Sequence, residues 1–173
     1  MNASAQDIDR ISIAVRTVLA ELGQTPTALG PLGLKDAQRL AALAAIKATE
    51  IAVPMVIAVA DVSGGLILVH RMDGALPASL DIAINKAFTA AVFRTATHDL
   101  GALAQPGQPL YGIQSTNQGR VVIFGGGFPC RRGGSLAGAI GISGGSVEED
   151  MQVASYALRI FLEESGLCPE GEK

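Results

Sequence analysis

The sequence predicts an α+β domain with an antiparallel sheet of about five strands, flanked by helices, in the order α-β-β-α-β-β-β-α. Two short apolar runs, VPMVIAVA and LILVHR, are separated only by the turn residues Asp61-Val62-Ser63-Gly64-Gly65, which makes them a hairpin. Longer stretches on either side carry apolar residues at helical spacing. Hairpin turns together with these helices argue for an antiparallel sheet with helices packed against it.

Local signals place each element. Ahead of the domain, Ile8, Ile11, Val15, Val18, Leu19 and Leu22 fall on one arc at about 100° per residue, and Ile13 is the exception on the polar side. The pattern predicts an amphipathic helix over 1–23, stopped at Gly23. Pro26, Gly30 and Pro31 break both helix and ladder, so 24–33 is expected as a linker. The domain itself is expected over 34–166, with a tail at 167–173. Leu34 to about Thr49 is helical, Val53 to Ala60 a buried strand and Leu66 to Arg71 its partner. Ala78 to about Arg94 is a helix apolar on most sides, and Thr97 to Ala104 a short helix before the loop QPGQPLYG. Arg120 to Phe124 (RVVIF) is expected as a strand, and Phe128 to Arg131 as another after the Gly125-Gly126-Gly127 break. Leu136 to Ser143 is a strand whose glycines admit a close neighbour. Ser146-Val147-Glu148-Glu149 is a capping box that opens the last helix.

Composition narrows the function. With 49% hydrophobic and only 4% aromatic residues, the core is built from Val, Ile, Leu and Ala packed closely. A net charge of −3 without clustered Lys and Arg excludes a nucleic-acid footprint. No window approaches the ~20 apolar residues of a membrane span, and Cys130 and Cys168 form no disulfide framework. The expected compartment is the cytoplasm.

Catalytic motifs are sparse. The glycine run continues through Phe128 and Pro129 to Cys130 without a following Gly-Lys-Ser/Thr, so it reads as a tight turn, not a phosphate loop. Cys130 beside Arg131 and Arg132 could hold a lowered thiol pKa, against the commoner reading of a packed cysteine. Lys86 is a lone charge in an apolar helix, expected to pair with an acid such as Asp73 or Asp81. His70, on a strand face with Leu66 and Leu68, and His98, near a helix start, cannot make a protein metal cage by themselves. As a haem axial ligand one side chain suffices, with Tyr111 an oxygen alternative.

The ordered set RMDGA, PLYGI, FGGGFP and GAIGISGG resembles the GlcG/HbpS family, which includes the C-terminal domain of PduO-type proteins. The resemblance covers about Leu34 to Leu162. It implies a profilin-like sheet flanked by helices, homo-oligomerisation, and haem or, as the lesser expectation, corrinoid binding. The family's motifs correspond here to Arg71, Met72, Asp73 and Gly74, to Pro109 through Gly112, and to Gly125, Gly126, Gly127 and Pro129. Some members place a haem-ligating histidine in the first helix, whereas Leu34 to Glu50 contains none.

The expected cofactor site is therefore His70, His98 and Tyr111 with Arg71, Lys86 and the three glycines, His70 and His98 being the candidate axial ligands. The leading helix and linker resemble the encapsulation peptides of bacterial microcompartment cargo, which implies docking on shell or cargo proteins through Ile8, Ile11, Val15, Val18, Leu19 and Leu22. The function that follows is an accessory haem- or corrinoid-binding protein carried in a microcompartment. Its rivals are an enzyme for a small aldehyde, hydroxy acid or diol using Lys86, Asp73 or Cys130, and a non-catalytic assembly protein.

Overall fold

The structure is a computed structural model that describes residues 30–166. The expected amphipathic helix and most of the expected linker lie outside the described residues. The elements are α1 (Leu34–Glu50), β1 (Val56–Ala60), β2 (Leu66–Arg71), α2 (Ser79–Phe93), α3 (Thr97–Leu103), single 3-10 turns at Ile113–Ser115 and Asn117–Gly119, β3 (Gly127–Arg132), β4 (Ser135–Ser143) and α4 (Val147–Glu164). They build one antiparallel sheet in the order β2-β1-β4-β3.

The sheet has four strands, one fewer than expected, because Arg120–Phe124 joins no ladder. Side chains of α2 take the bonds that a neighbouring strand would have supplied. The Thr89 hydroxyl accepts from the Val122 amide at 3.0 Å, and Arg120 Nε donates to Asn85 Oδ1 at 3.2 Å. The Arg120 guanidinium covers the Phe88 ring at 3.8 Å. An apolar, β-branched run is thus an extended strap over a helix.

Two cores sandwich the sheet. On one face α1 and α4 bury Leu40, Leu43, Val153 and Phe161 against Ile57, Val59, Ile140 and Ile142. On the other, α2 lays Ala83 and Ala87 on Val56, Ala58 and Ala139. That second interface is very close, since a Cβ at Gly141 would stand 2.2 Å from the Ala83 carbonyl oxygen. Hence the small residues of β4 and α2, and the low aromatic content, belong to one design. The last helix starts as its sequence implies: Ser146 Oγ accepts from the Glu149 amide, and the Glu149 carboxylate accepts from the Ser146 amide at 2.8 Å.

Strict alternation fails on β2. The pairing Ala60↔Leu66 and Val59↔Leu68 leaves Ile67 as an extra residue, so Ile67 and Leu68 both pack toward the α1–α4 core. His70 pairs with Ile57 near the strand's end and is exposed.

The last residues of the expected linker, 30–33, are the part that is described. Leu32 is buried and its amide donates to the Ala137 carbonyl at 2.7 Å, while the Gly30 carbonyl accepts from Arg132 Nη1 at 3.2 Å. Residues 30–33 are seated on the domain. Among the described residues, no helix is long and apolar enough to cross a membrane.

Candidate functional site

Lys86 lies on α2, whose neighbours Ala83, Ala87 and Ala90 are all buried, so its side chain has no route to water. It runs past the end of β4 instead. Nζ donates to Asp150 Oδ2 at 2.6 Å and to the Ile142 carbonyl at 2.9 Å. Lys86 is 0% exposed and Asp150 4%. The expectation that Lys86 pairs with Asp73 or Asp81 is corrected: Asp81 bonds Asn85 on its own helix, and Asp73 is exposed. Burial pushes the Lys86 ammonium down from its ordinary pKa and the Asp150 carboxyl up, each opposed by the other's charge.

The Gly125-Gly126-Gly127 run closes over this pair. Gly126 has φ +110, and a Cβ there would stand 2.7 Å from Lys86 Nζ and 2.8 Å from the Ile142 carbonyl oxygen. The Gly127 amide donates to Thr97 Oγ1 at 3.0 Å, which ties α3 to the turn. Phe124 caps the site with its ring 4.9 Å from Nζ. Of the expected site residues, Lys86 and the three glycines are therefore brought together, sealed from solvent. Asp150 was missed, since an acid in a first turn suits the helix dipole. Its spacing to Val153, Ala154, Ala157 and Phe161 places it on the buried stripe, and that signal was available.

His98 follows Thr97 on α3. Its ring lies 5.4 Å from that of Phe128, Nε2 is 3.4 Å from Asp99 Oδ1, and Nδ1 is buried without a hydrogen-bond partner among the described residues. Phe128 is also a wall of an open groove of about 550 Å³ along α4, continued by Leu158, Leu162 and Tyr156 and bordered by Lys47 and Arg159. Both cations lie near the Tyr156 ring, at 5.5 and 5.7 Å. His70 and Arg71 stand on β2, three strands from Phe128, roughly 14 Å at the usual strand spacing. Arg71 donates to the Ala75 carbonyl at 3.3 Å, and Tyr111 is 67% exposed on the loop after α3. The structure does not gather His70, His98 and Tyr111 into one ligand set.

Of the two readings of Cys130, the structure agrees with the commoner one, a packed cysteine. Burial pushes its thiol up to about 11, although Arg132 pulls the other way. That arginine is occupied with the Asp36 carboxylate, at 2.8 and 3.3 Å. Among the described residues, no group of three metal-binding side chains occurs.

These features define a class first: a small α+β domain whose four-stranded antiparallel sheet lies between one helix and a helix pair. Residues 32–159 match the HbpS-like family, described as haem degrading protein HbpS-like, and the chain belongs to that family. The 15.0 kDa protein in the dhaT-dhaS intergenic region of Citrobacter freundii is 46% identical over 135 residues, 78% of this chain and 95% of that protein. Corrinoid adenosyltransferase PduO of the same organism is 45% identical over 127 residues, 73% of this chain but only 38% of that protein's length. Klebsiella pneumoniae protein ORFY superposes with a TM-score of 0.74 at 45% identity, covering 76% of this chain and 91% of ORFY. The PduOC:haem complex gives a TM-score of 0.71 at 44% identity, covering 74% of this chain and 93% of PduOC.

Proposed function

We propose that the chain is an accessory haem-binding protein, delivered as microcompartment cargo by its leading segment. The observation that carries the haem reading is the groove along α4 walled by Phe128, Leu158 and Leu162. Haem asks for an apolar slot, cations for its propionates and an axial donor. Phe128, Leu158 and Leu162 offer the first and Lys47 and Arg159 the second, and the donor we assign is His98, whose ring lies 5.4 Å from that of Phe128 but outside the lining of the groove. The apolar walls and the cations of the groove fit the group. Bound haem would supply a redox-active iron, and the protein's part is to hold it and limit access. The 44% identity to a protein solved with haem supports the same reading.

Haem titration followed through the Soret band tests it. The expected result is saturable binding, with His98→Ala shifting the band and Lys47→Ala with Arg159→Ala weakening affinity. An absent Soret change, or an unaltered band after replacing His98, His70 and Tyr111 together, overturns the assignment. Cobalamin titrated in parallel decides whether a corrinoid competes for the groove.

Packaging rests on the pattern Ile8, Ile11, Val15, Val18, Leu19 and Leu22. Because Leu32 is part of the core, the informative truncation ends at residue 29. Removal of 1–29 should leave haem binding intact and abolish co-localisation with shells. A truncated protein that still enters shells refutes the address.

A further inference from the structure

We infer that the cavity at the other end of the sheet from the glycine turn binds a phosphorylated small metabolite. It is an open cavity of about 640 Å³ between the β1–β2 and β3–β4 hairpins and the C-terminus of α2. Its polar lining is Arg94, Arg131, Ser63 and Ser135, its apolar lining includes Val62 and Leu136, and no acidic residue lines it. The size falls within the roughly 300–1,000 Å³ usual for metabolite sites.

The arginines are placed by the fold. Arg94 follows α2 in the left-handed region, with φ 57 and ψ 27, a conformation that non-glycine residues take at a cost. Arg131 stands beside a β-bulge, and its Nη2 donates to the Arg94 carbonyl at 2.7 Å. That bond answers the negative end of the helix dipole, worth about half a charge. The Arg94 guanidinium makes no ion pair among the described residues, so the cavity keeps a surplus of positive charge. Asp61, in the adjoining turn, already accepts the Ser63 and Gly65 amides at 2.7 and 2.9 Å.

Two guanidiniums with two hydroxyls suit a tetrahedral dianion, because paired N–H groups match phosphate oxygens. A bare phosphate would leave most of the space empty. The Val62 and Leu136 wall gives a short carbon skeleton its place.

The test is a titration of the full-length protein with inorganic phosphate and with glycerol phosphate, read from the amide resonances of Ser63, Gly134 and Ser135. Saturable shifts are expected for both, with tighter binding of the ester. Arg94→Gln, which breaks no described contact, should weaken both roughly tenfold or more, the effect of losing a charge-assisted hydrogen bond. Non-saturating shifts, or affinity unchanged in Arg94→Gln, overturn the proposal. Succinate binding more tightly than the ester overturns the phosphate assignment.

Discussion

Lys86 and Arg132 are both buried cations that pair with an acid, Asp150 and Asp36 respectively, and they hold the molecule in different ways. Lys86–Asp150 joins α2 to α4, elements on opposite faces of the sheet, and both partners are almost wholly enclosed. Arg132–Asp36 joins β3 to the first turn of α1 and fixes the segment from Gly30, with Asp36 still 27% exposed. Solvent decides the difference. For Asp36, burial alone would raise the carboxyl, but bonds from Arg132 and from the Gly33 amide hold it below the ordinary range. For Asp150 the same bonds fall short, and burial leaves the carboxyl raised. One pair favours the charged state and the other is charged against its surroundings. A deeper ion pair is not a stronger one.

The largest expected effect tests the deep pair. Lys86→Met or Asp150→Asn alone should lower unfolding free energy by about 3–5 kcal/mol in denaturant titrations, because each strands a buried charge. Lys86→Met with Asp150→Leu should recover the greater part of that loss. A double variant as unstable as the singles together would show that the charges themselves stabilise the fold.

Asp36→Asn should cost about 1.5–3 kcal/mol by removing a charge-assisted bond to Arg132. The two acids also differ in pH response. Asp36, with a lowered pKa, contributes stability above the ordinary carboxylate range that is lost as pH falls through its folded value. Asp150, with a raised one, makes stability fall as pH rises from the ordinary value to the folded value. Stability curves of Asp36→Asn should therefore lack part of the acid-side slope, and curves that keep it would contradict the Arg132 pairing.

Gly126→Ala should cost about 1–3 kcal/mol from its positive φ, with added strain from the Ile142 carbonyl, which is backbone and cannot swing aside. A thermally neutral variant would mean that the turn does not press on Lys86. The smallest effect belongs to Arg159→Ala, whose exposed pair with Glu163 at 2.9 Å is worth roughly 0.3–0.5 kcal/mol. Its consequence should fall on haem affinity instead.

Much of the fold was legible along the chain. The hairpin, the capping box of α4 and the close approach at the glycines of β4 each follow from a local rule. RVVIF misled because strand propensity measures fit to a half-buried extended surface, and the surface of α2 with Thr89 and Asn85 serves as well as a strand. The site was partly legible too: Lys86 and the glycine run were singled out, but their partner Asp150 is 64 residues from Lys86.

By itself the sequence determined periodicity, turns and caps, since these depend on neighbours within a few positions, and its ordered motifs identified the family. Tertiary structure alone decided which acid meets Lys86, that Cys130 is too enclosed to be a ready thiolate, and that Arg94 and Arg131 share a cavity. Burial and long-range pairing set those outcomes, and neither is a property of any short stretch of chain.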